Sequence, residues 1–379
     1  MTADTTDDSP AASADPQAGL NHSELAREAR ELAERMQTLP RTYATPVGSG
    51  ILRAHHEDFV VEEDVGAEPS GSGEHLWLWI EKRGLNTEQV ARALAKLAGV
   101  PVRDIGFAGL KDRHAIARQW FSVPFAAARE LPESWAGAGW TVLQQQRHGR
   151  KLRRGTLAGN RFIITLREVT ADAAELQSRL ANVAAGGVPN YFTEQRFGFD
   201  NLGDAAKLFA GQRSNISPHQ RGLLFSAARS ALFNVVLAQR VQTGSWWALL
   251  CGDAVQLAGS QSFFVATDID AELEARLQAK DIAPTGPLWG RGRPLTQASA
   301  AAFEQQVLAP YPAFLAGLEH ARLDQARRSL VVFPRDFLWR HDPCECTLSL
   351  RFTLPAGAYA TAVVREIVEY RHAPRHAQK

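Results

Sequence analysis

The chain has 379 residues, of which 45% are hydrophobic and 22% charged, with a formal net charge of +1. Three cysteines cannot build a disulfide framework, no run approaches the roughly 18 apolar residues of a membrane span, and the start MTADTTDDSPAASADP lacks a signal peptide. We therefore expect a cytoplasmic globular protein of two domains, without a membrane or an obligatory protein partner.

The charge is unevenly distributed along the chain. The first 48 residues contain eight acidic and four basic residues, so the remainder carries a surplus of five positive charges. A mildly basic body permits a nucleic-acid partner without requiring one.

The first elements in chain order are an N-terminal extension and two strands. Residues 1–20 are rich in Ala, Ser, Thr, Asp and Pro and should be disordered, and an apolar stripe after Asn21 predicts a helix. We assign 1–48 to this extension. ILRAHHEDFVVEEDV and HLWLWIEKR then read as strands, and a capping box of Asn86 and Gln89 starts a helix.

The stretch GFAGLKDRHAIARQW follows this helix and contains a carboxylate, Asp112, directly between Lys111 and Arg113. Neighbouring positive charges would hold Asp112 ionised, and a positioned carboxylate can act as a nucleophile or a base. Gly106 and Gly109 would allow a close backbone approach or a turn. The alternative from these residues alone is a surface turn with an ion pair.

The densest cationic run lies in RHGRKLRRGTLAGN, between two predicted strands. Its glycines predict a loop, and its cations suit an anionic partner such as a phosphate backbone, although a solvated charge run is the common alternative. The candidates for backbone contact are Arg150, Lys151, Arg153 and Arg154.

A second polar and aromatic mixture, NYFTEQRFGFDN, follows the next predicted helix. Asn190 and Phe192 belong to a pattern that could stack a base and hydrogen-bond its edge, or form a buried aromatic turn.

The later chain changes character at a long helix starting near His219. We interpret 217–335 as an inserted domain that includes a proline- and glycine-rich link from Pro284 to Pro294. The strand TLSLRFTLP then needs partners among the earlier strands, so 49–216 and 336–379 should form one split domain.

A metal site has weak support. His341, Cys344 and Cys346 crowd three ligands into six residues without a second pair, so we predict no metal here.

Four segments together resemble the TruD family of tRNA pseudouridine synthases. AGLKDRHAIARQW is similar to its catalytic motif, KLRRGTLAGNRF and NYFTEQRFG to its next two, and LPAGAYATAVVREI to its C-terminal one. Their order and spacing agree from about Ile51 to Tyr370, with an insertion between the third and the fourth.

The resemblance implies an α+β (mixed α/β) fold, in which a catalytic domain with a mixed, largely antiparallel sheet is interrupted by an inserted α/β domain. It implies an isomerase (an intramolecular transferase) that converts uridine 13 in the D arm of tRNA to pseudouridine without a cofactor. Asp112 would be the catalytic carboxylate, acting as a nucleophile at C1′ or as a base at C2′, and Lys111 would keep it ionised.

The remaining site residues are also implied by the family pattern. Arg53 and Phe59 match a basic residue and a phenylalanine near the aspartate, Asn190 and Phe192 match groups that flank the uridine, and Tyr359 matches a C-terminal aromatic. Arg53 and Tyr359 depart from the usual lysine and phenylalanine, and Thr193 replaces a glycine, which matters if that glycine has positive φ.

Three alternatives remain at this point: the same isomerisation on another RNA, a non-catalytic RNA-binding module, and a carboxylate-dependent hydrolase. The hydrolase would need a second acid, for which Glu57, Asp58, Glu62 and Glu63 are the candidates.

Overall fold

The computed structural model describes residues 21–126, 135–213 and 215–373; the segment predicted to be disordered, 1–20, lies outside them. The strands are β1 Gly48–Leu52, β2 Phe59–Asp64, β3 His75–Arg83, β4 Gly106–Phe107, β5 Ile116–Pro124, β6 Ala136–Gly137, β7 Trp140–His148, β8 Gly159–Ala171, β9 Val188–Pro189, β10 Asp253–Leu257, β11 Phe263–Ala266, β12 Ile282–Leu288, β13 Ala326–Ser329, β14 Val331–Val332, β15 Arg335–Asp342, β16 Thr347–Pro355 and β17 Glu369–His372. The helices are α1 His22–Gln37, α2 Thr87–Ala98, α3 Ala173–Gly186, α4 Glu194–Phe197, α5 Asn201–Phe209, α6 Pro218–Gln242, α7 Ala271–Gln278, α8 Ala298–Leu308, α9 Pro312–His320 and α10 Ala360–Arg365.

One compact unit, here called the sheet unit, comprises Arg41–Tyr191 and the described residues from Val331 onward. Its large sheet has the order β15-β16-β8-β2-β5-β3-β7-β6, with β1 beside β8 and β17, and β4 beside β5. The pairs β2–β5 and β1–β17 are parallel and the other neighbours are antiparallel. The prediction of a mixed, largely antiparallel sheet in an α+β fold is confirmed.

The apolar pattern of the sequence explains this sheet. Leu348, Leu350, Phe352 and Leu354 alternate along β16 and are buried, as expected for one face turned to the core. Strand β16 pairs with β8 over eight residues, so the chain after the insertion returns to the earlier strands. This pairing joins the two parts of the split unit.

Helix α2 forms where its capping signals predicted it. Asn86 and Gln89 make a reciprocal capping box, and Gly99 ends the helix in the left-handed conformation with φ of 69°. Val90 and Leu94 are fully buried under the sheet residues of β3 and β5. The helix therefore has a fixed start, and its first residue, Thr87, lies against the Asp112 loop.

The second compact unit, here called the insert unit, comprises Phe192–Leu330 and the described residues up to Pro40. It contains a four-stranded sheet of order β11-β10-β12-β13 and the long helix α6. Helix α1 packs on α5, α6 and α9, and the buried Glu28 carboxylate accepts the backbone N–H groups of Ala313 and Phe314 at the start of α9. The chain thus divides after Pro40, Tyr191 and Leu330, whereas the sequence-based division fell after residues 48, 216 and 335.

Strand β12 corrects the interpretation of the chain after Pro284 as a link. Val255 of β10 pairs with Pro284, and Pro287 pairs with Arg327 of β13, so the segment is an inner strand. Proline cannot donate to the ladder and is unusual there, which explains the wrong prediction. Helix α8, Ala298–Leu308, was also missed because its alanine-rich sequence has a weak apolar stripe.

Helix α6 is long and apolar enough to cross a membrane by length and composition, and 61% of that apolar window is buried inside the protein. A core helix that is mostly buried passes this test of length and composition as readily as a membrane span does. Ala227, Ala231, Leu232 and Val235 all lie in the apolar core of the insert unit. A helix that is apolar on most sides is expected at such a position.

Candidate active site

The Asp112 carboxylate lies in the loop between β4 and β5 and is held by Arg53. Arg53 Nη2 donates to Asp112 Oδ2 at 2.9 Å, and the Arg53 guanidinium carbon lies 4.0 Å from the centre of the Phe59 ring. Arg53 has the left-handed backbone conformation, with φ of 60°. The Asp112 side chain is 27% exposed and that of Arg53 is 15% exposed. Three of the predicted site residues are thus brought together, and the carboxylate is accessible from solvent.

A buried lysine, Lys82 on β3, binds the backbone of the same loop. Its Nζ donates to the carbonyl oxygens of Asp112 and Leu85, both at 2.7 Å, and reaches that of Lys111 at 3.4 Å. Burial lowers the pKa of Lys82 to about 8; the Lys111 charge also lowers this pKa, and the Asp112 charge opposes the change. Sequence reasoning missed Lys82, although a lysine in the otherwise buried strand HLWLWIEKR was an available signal.

Lys111 corrects one prediction for the site. Its Nζ forms an ion pair with Glu63 Oε1 at 2.9 Å and donates to Asn160 Oδ1 at 2.8 Å. Both side chains of the pair are buried; burial raises the pKa of Glu63, and Lys111 opposes this rise. The Lys111 ammonium is therefore paired with Glu63, whereas Arg53 contacts the Asp112 carboxylate directly.

The other flanking cation, Arg113, also points away from the carboxylate, because its Nε donates to the carbonyl of Gly84 at 3.0 Å. The backbone N–H of Lys111 donates to Thr87 Oγ1 at 2.9 Å, which ties the loop to the start of α2. Gln119 accepts from the same hydroxyl and donates to the carbonyl of Gly109. The loop is therefore fixed by buried neutral groups and by Lys82.

Gly106 allows a close approach, but to the protein itself. A Cβ at Gly106 would lie 2.3 Å from the carbonyl oxygen of Leu152 and 2.4 Å from Ser122 Oγ. At Gly109 the nearest atoms to such a Cβ are at 3.6 Å, which is ordinary contact. The space at Gly106 is thus used to seat the cationic run on the Asp112 segment.

The cationic run forms the loop between β7 and β8, as predicted. Its backbone is anchored: Trp77 Nε1 donates to the carbonyl of Arg150 at 2.9 Å, and the N–H of Leu152 donates to Ser122 Oγ at 2.8 Å. Lys151 Nζ donates to a backbone carbonyl, whereas Arg150, Arg153 and Arg154 are exposed. The loop presents positive charge to solvent from a fixed backbone.

Two other predicted residues, Asn190 and Tyr359, belong to the sheet unit. Asn190 follows β9 and is 7% exposed; Tyr359 directly precedes α10 and is half-buried. Tyr191 follows Asn190 in the chain; its ring is fully buried, and the Arg365 guanidinium lies 5.1 Å from the ring centre. Asn190 and Tyr359 are therefore placed on short, anchored segments.

Phe192 begins the insert unit. Its N–H donates to Asn234 Oδ1 at 3.0 Å and its carbonyl accepts from Asn234 Nδ2 at 2.7 Å. The ring meets Phe233 edge to face at 5.5 Å and lies 4.1 Å from the Arg328 guanidinium carbon. The neighbouring Thr193 has φ of −98°, so this position makes no demand for glycine and the threonine is accommodated without backbone strain.

The carboxylates that could supply a second acid are all engaged in ion pairs with other residues. Glu57 pairs with Arg83, Asp58 with Arg167, Glu62 with Arg118 and Glu63 with Lys111, at 2.5 to 2.9 Å. A hydrolase of the two-carboxylate type needs one acid that can protonate a leaving group. These pairings do not favour that alternative.

The described residues contain no group of three His, Cys, Asp or Glu side chains arranged to hold a metal ion. His341 lies near the end of β15, and Cys344 and Cys346 lie in the turn between β15 and β16, where both cysteines are exposed.

Comparison with known proteins identifies the family. The family model described as tRNA pseudouridine synthase D (TruD) matches residues 39–204 and 200–367. Proteins named tRNA pseudouridine synthase D from Nitrosococcus oceani and Hydrogenovibrio crunogenus are 46% and 45% identical to this chain. These alignments cover 86% and 87% of this chain, and 93% and 95% of the relatives.

A solved structure supports the fold. The crystal structure of the putative tRNA pseudouridine synthase D (TruD) from Methanosarcina mazei has a TM-score of 0.65 and 21% identity, over 88% of this chain and 98% of that one. Together with the family match over most of the sequence, these similarities show that the chain belongs to the tRNA pseudouridine synthase D (TruD) family of isomerases.

Proposed function

We propose that the protein converts uridine 13 in the D arm of tRNA to pseudouridine, with Asp112 as the reacting carboxylate. The relatives' names supply the reaction and the substrate class. The observation that carries the role of Asp112 is its support: one oxygen is bound by Arg53, the backbone carbonyl is bound by buried Lys82, and the side chain is still 27% exposed.

The reaction is an isomerisation in which the bond between C1′ and N1 breaks and one between C1′ and C5 forms. If Asp112 is a nucleophile, it attacks C1′ while uracil leaves with the N1 electron pair; C5 later displaces the carboxylate. If Asp112 is a base, it takes the C2′ proton to give a glycal and returns it after C5 adds. In both routes the C5 proton is lost and N1 gains one, so no oxidant or other reactant is needed. Either role requires an ionised carboxylate beside the ribose.

Arg53 and the buried contacts around the loop would hold this carboxylate in place. A shift of about 1 Å in a reacting group can cost about 100-fold in rate. The ion pair of Glu63 and Lys111 and the contacts of Lys82 with the Lys111 and Asp112 carbonyls hold the loop on which Asp112 lies. We assign Lys111 and Lys82 to positioning.

The detached uracil has to stay bound while it turns, which calls for an aromatic surface and a polar group at its edge. Asn190, Phe192 and Tyr359 are our proposal for these roles, and Phe59 supports Arg53. Asn190 and Tyr359 each lie next to a short anchored element, which suits a residue that must keep a fixed position.

Arg150, Lys151, Arg153 and Arg154 are proposed to bind the phosphate backbone of the tRNA. Their loop is held by hydrogen bonds to Trp77 and Ser122, so the cations would bind without first ordering a flexible segment.

The test is the product formed from a tRNA transcript that carries tritium at C5 of its uridines. We expect tritium release, pseudouridine at position 13 and no free uracil, and no release when position 13 is cytidine. Free uracil would indicate a hydrolase; pseudouridine elsewhere would move the activity to another uridine or another RNA.

A further inference from the structure

A groove of about 580 Å³ lies on the sheet unit, bounded by helix α2, the single turn Val102–Asp104 and the cationic loop. This volume is in the range of small-molecule sites. Only part of its cationic lining belongs to the cationic run, since two arginines come from other elements. The charged lining residues are Arg92, Arg103, Lys151, Arg153 and Arg154 on the positive side and Glu88 on the negative side.

The charge of this rim is poorly compensated. Glu88 lies 3.9 Å from Arg92 and 3.8 Å from Arg154, and both arginine side chains are more than 60% exposed, so these pairs are loose. Within the part of the chain that the structure describes, Arg103 and Arg153 form no ion pair. One acid against five cations leaves the groove positive, which favours an anionic ligand.

The floor of the groove is apolar. Val102, which is 49% exposed, lines it together with the largely buried Ile105, Phe107 and Leu152. The Arg154 guanidinium lies 5.0 Å from the centre of the Phe107 ring. An apolar floor under a cationic rim matches a nucleotide, whose base takes the floor and whose phosphates take the rim.

Two residues that line the groove are close in sequence to residues of the Asp112 loop or to residues that bind it. Thr87, which binds the backbone of Lys111, directly precedes Glu88 of the groove, and Gly106 of its lining begins the segment that leads to Asp112. A ligand here could therefore belong to the same RNA as the reacting uridine.

The geometry points to a second nucleotide subsite, in which this groove takes an unpaired nucleotide of the RNA substrate. The inference rests on the proposed function for the identity of that RNA. Bases in a duplex are stacked and paired, so they cannot reach the apolar floor, whereas an unpaired base can be turned out onto it.

The test compares a single-stranded hexaribonucleotide with a blunt RNA duplex as probes. The double variant Arg92→Gln and Arg103→Gln should weaken hexamer binding about fivefold or more at low salt, because two phosphate contacts are lost. Each lost phosphate contact should reduce the magnitude of the slope of log K against log salt by about 0.7, so the double variant should reduce it by about 1.4. Duplex binding should change less than twofold, and KM for tRNA should rise with kcat little changed.

The matched control is Arg340→Gln with Arg351→Gln, two exposed arginines on β15 and β16 at the other end of the strand order. It should leave hexamer binding unchanged. Equal weakening of duplex and hexamer, an equal effect of the control, or no effect of the groove variant would each overturn the subsite. Failure of the proposed function is distinguished separately, because then the wild-type protein would form no pseudouridine whatever the hexamer does.

Discussion

Replacement of Lys82 by methionine removes the buried ammonium under the Asp112 loop while keeping a side chain of similar length. The two short hydrogen bonds, to the carbonyls of Asp112 and Leu85, are lost, and each unsatisfied carbonyl costs about 1–3 kcal/mol. Against this, the pKa of about 8 in place of 10.5 means that burying the charge costs about 3 kcal/mol. The free energy of unfolding at pH 7 should therefore fall by at most about 3 kcal/mol.

Activity should respond far more strongly than stability. Without the ammonium the Asp112 carbonyl loses its buried partner, and a resulting displacement of Asp112 by about 1 Å would lower kcat about 100-fold. Single-turnover pseudouridine formation measures this loss, and denaturant unfolding measures stability. Lys96→Met, the same change at an exposed position of α2, is the control and should alter neither.

The lowered pKa of Lys82 also predicts the direction in which stability and activity change with pH. Below pH 8 Lys82 is protonated in both the folded and the unfolded chain, so its contribution to stability is constant. Between about pH 8 and 10.5 the unfolded chain keeps a proton that the folded chain has released, so the contribution of Lys82 to stability rises with pH, by up to about 3 kcal/mol. Activity should fall over the start of that window, because the neutral amine holds the loop less firmly. A Lys82→Met protein with wild-type kcat, and with the same fall in activity at alkaline pH as wild type, would refute the positioning role.

Two further predictions concern groups around the same loop. Gly106→Ala should destabilise the protein by about 1–3 kcal/mol, because its Cβ would meet a backbone carbonyl at 2.3 Å. Gly109→Ala, whose Cβ would have its nearest atoms at 3.6 Å, should be tolerated. Thermal melts of both variants measure this difference, and equal shifts in Tm would contradict the packing argument. Glu63→Gln leaves the Lys111 cation buried without its counter-charge and should lower the free energy of unfolding by about 3 kcal/mol in denaturant unfolding. The double variant Glu63→Gln with Lys111→Met should recover part of this loss. If the losses of the two single variants simply add, the pair is not coupled.

The elements that sequence predicted well are those with local signals. The capping box of Asn86 and Gln89 and the left-handed Gly99 lie within one helix, and the alternation of β16 from Leu348 to Leu354 identifies a strand by itself. The motif around Asp112 likewise identified the loop and, through resemblance, the family. Each of these depends on neighbours in the sequence.

The parts that sequence missed depend on contacts between distant residues. Nothing near Lys111 shows that its partner is Glu63, 48 positions earlier on β2, so the cation was assigned to the adjacent Asp112. The place of Gly106 against the cationic loop also exists only after folding. Proline at 284 misled the prediction of β12, because its effect depends on which backbone groups the neighbouring strands require.

The measurement that tests the central claim most directly compares wild type with Asp112→Asn on tRNA labelled with tritium at C5 of uridine 13. The substitution keeps the shape of the side chain and removes the charge that either route requires. We predict no tritium release and no pseudouridine from the variant, with tRNA affinity within about threefold of wild type, since the phosphate contacts are unchanged. Pseudouridine formation by Asp112→Asn at a rate near that of wild type would contradict the assignment of Asp112.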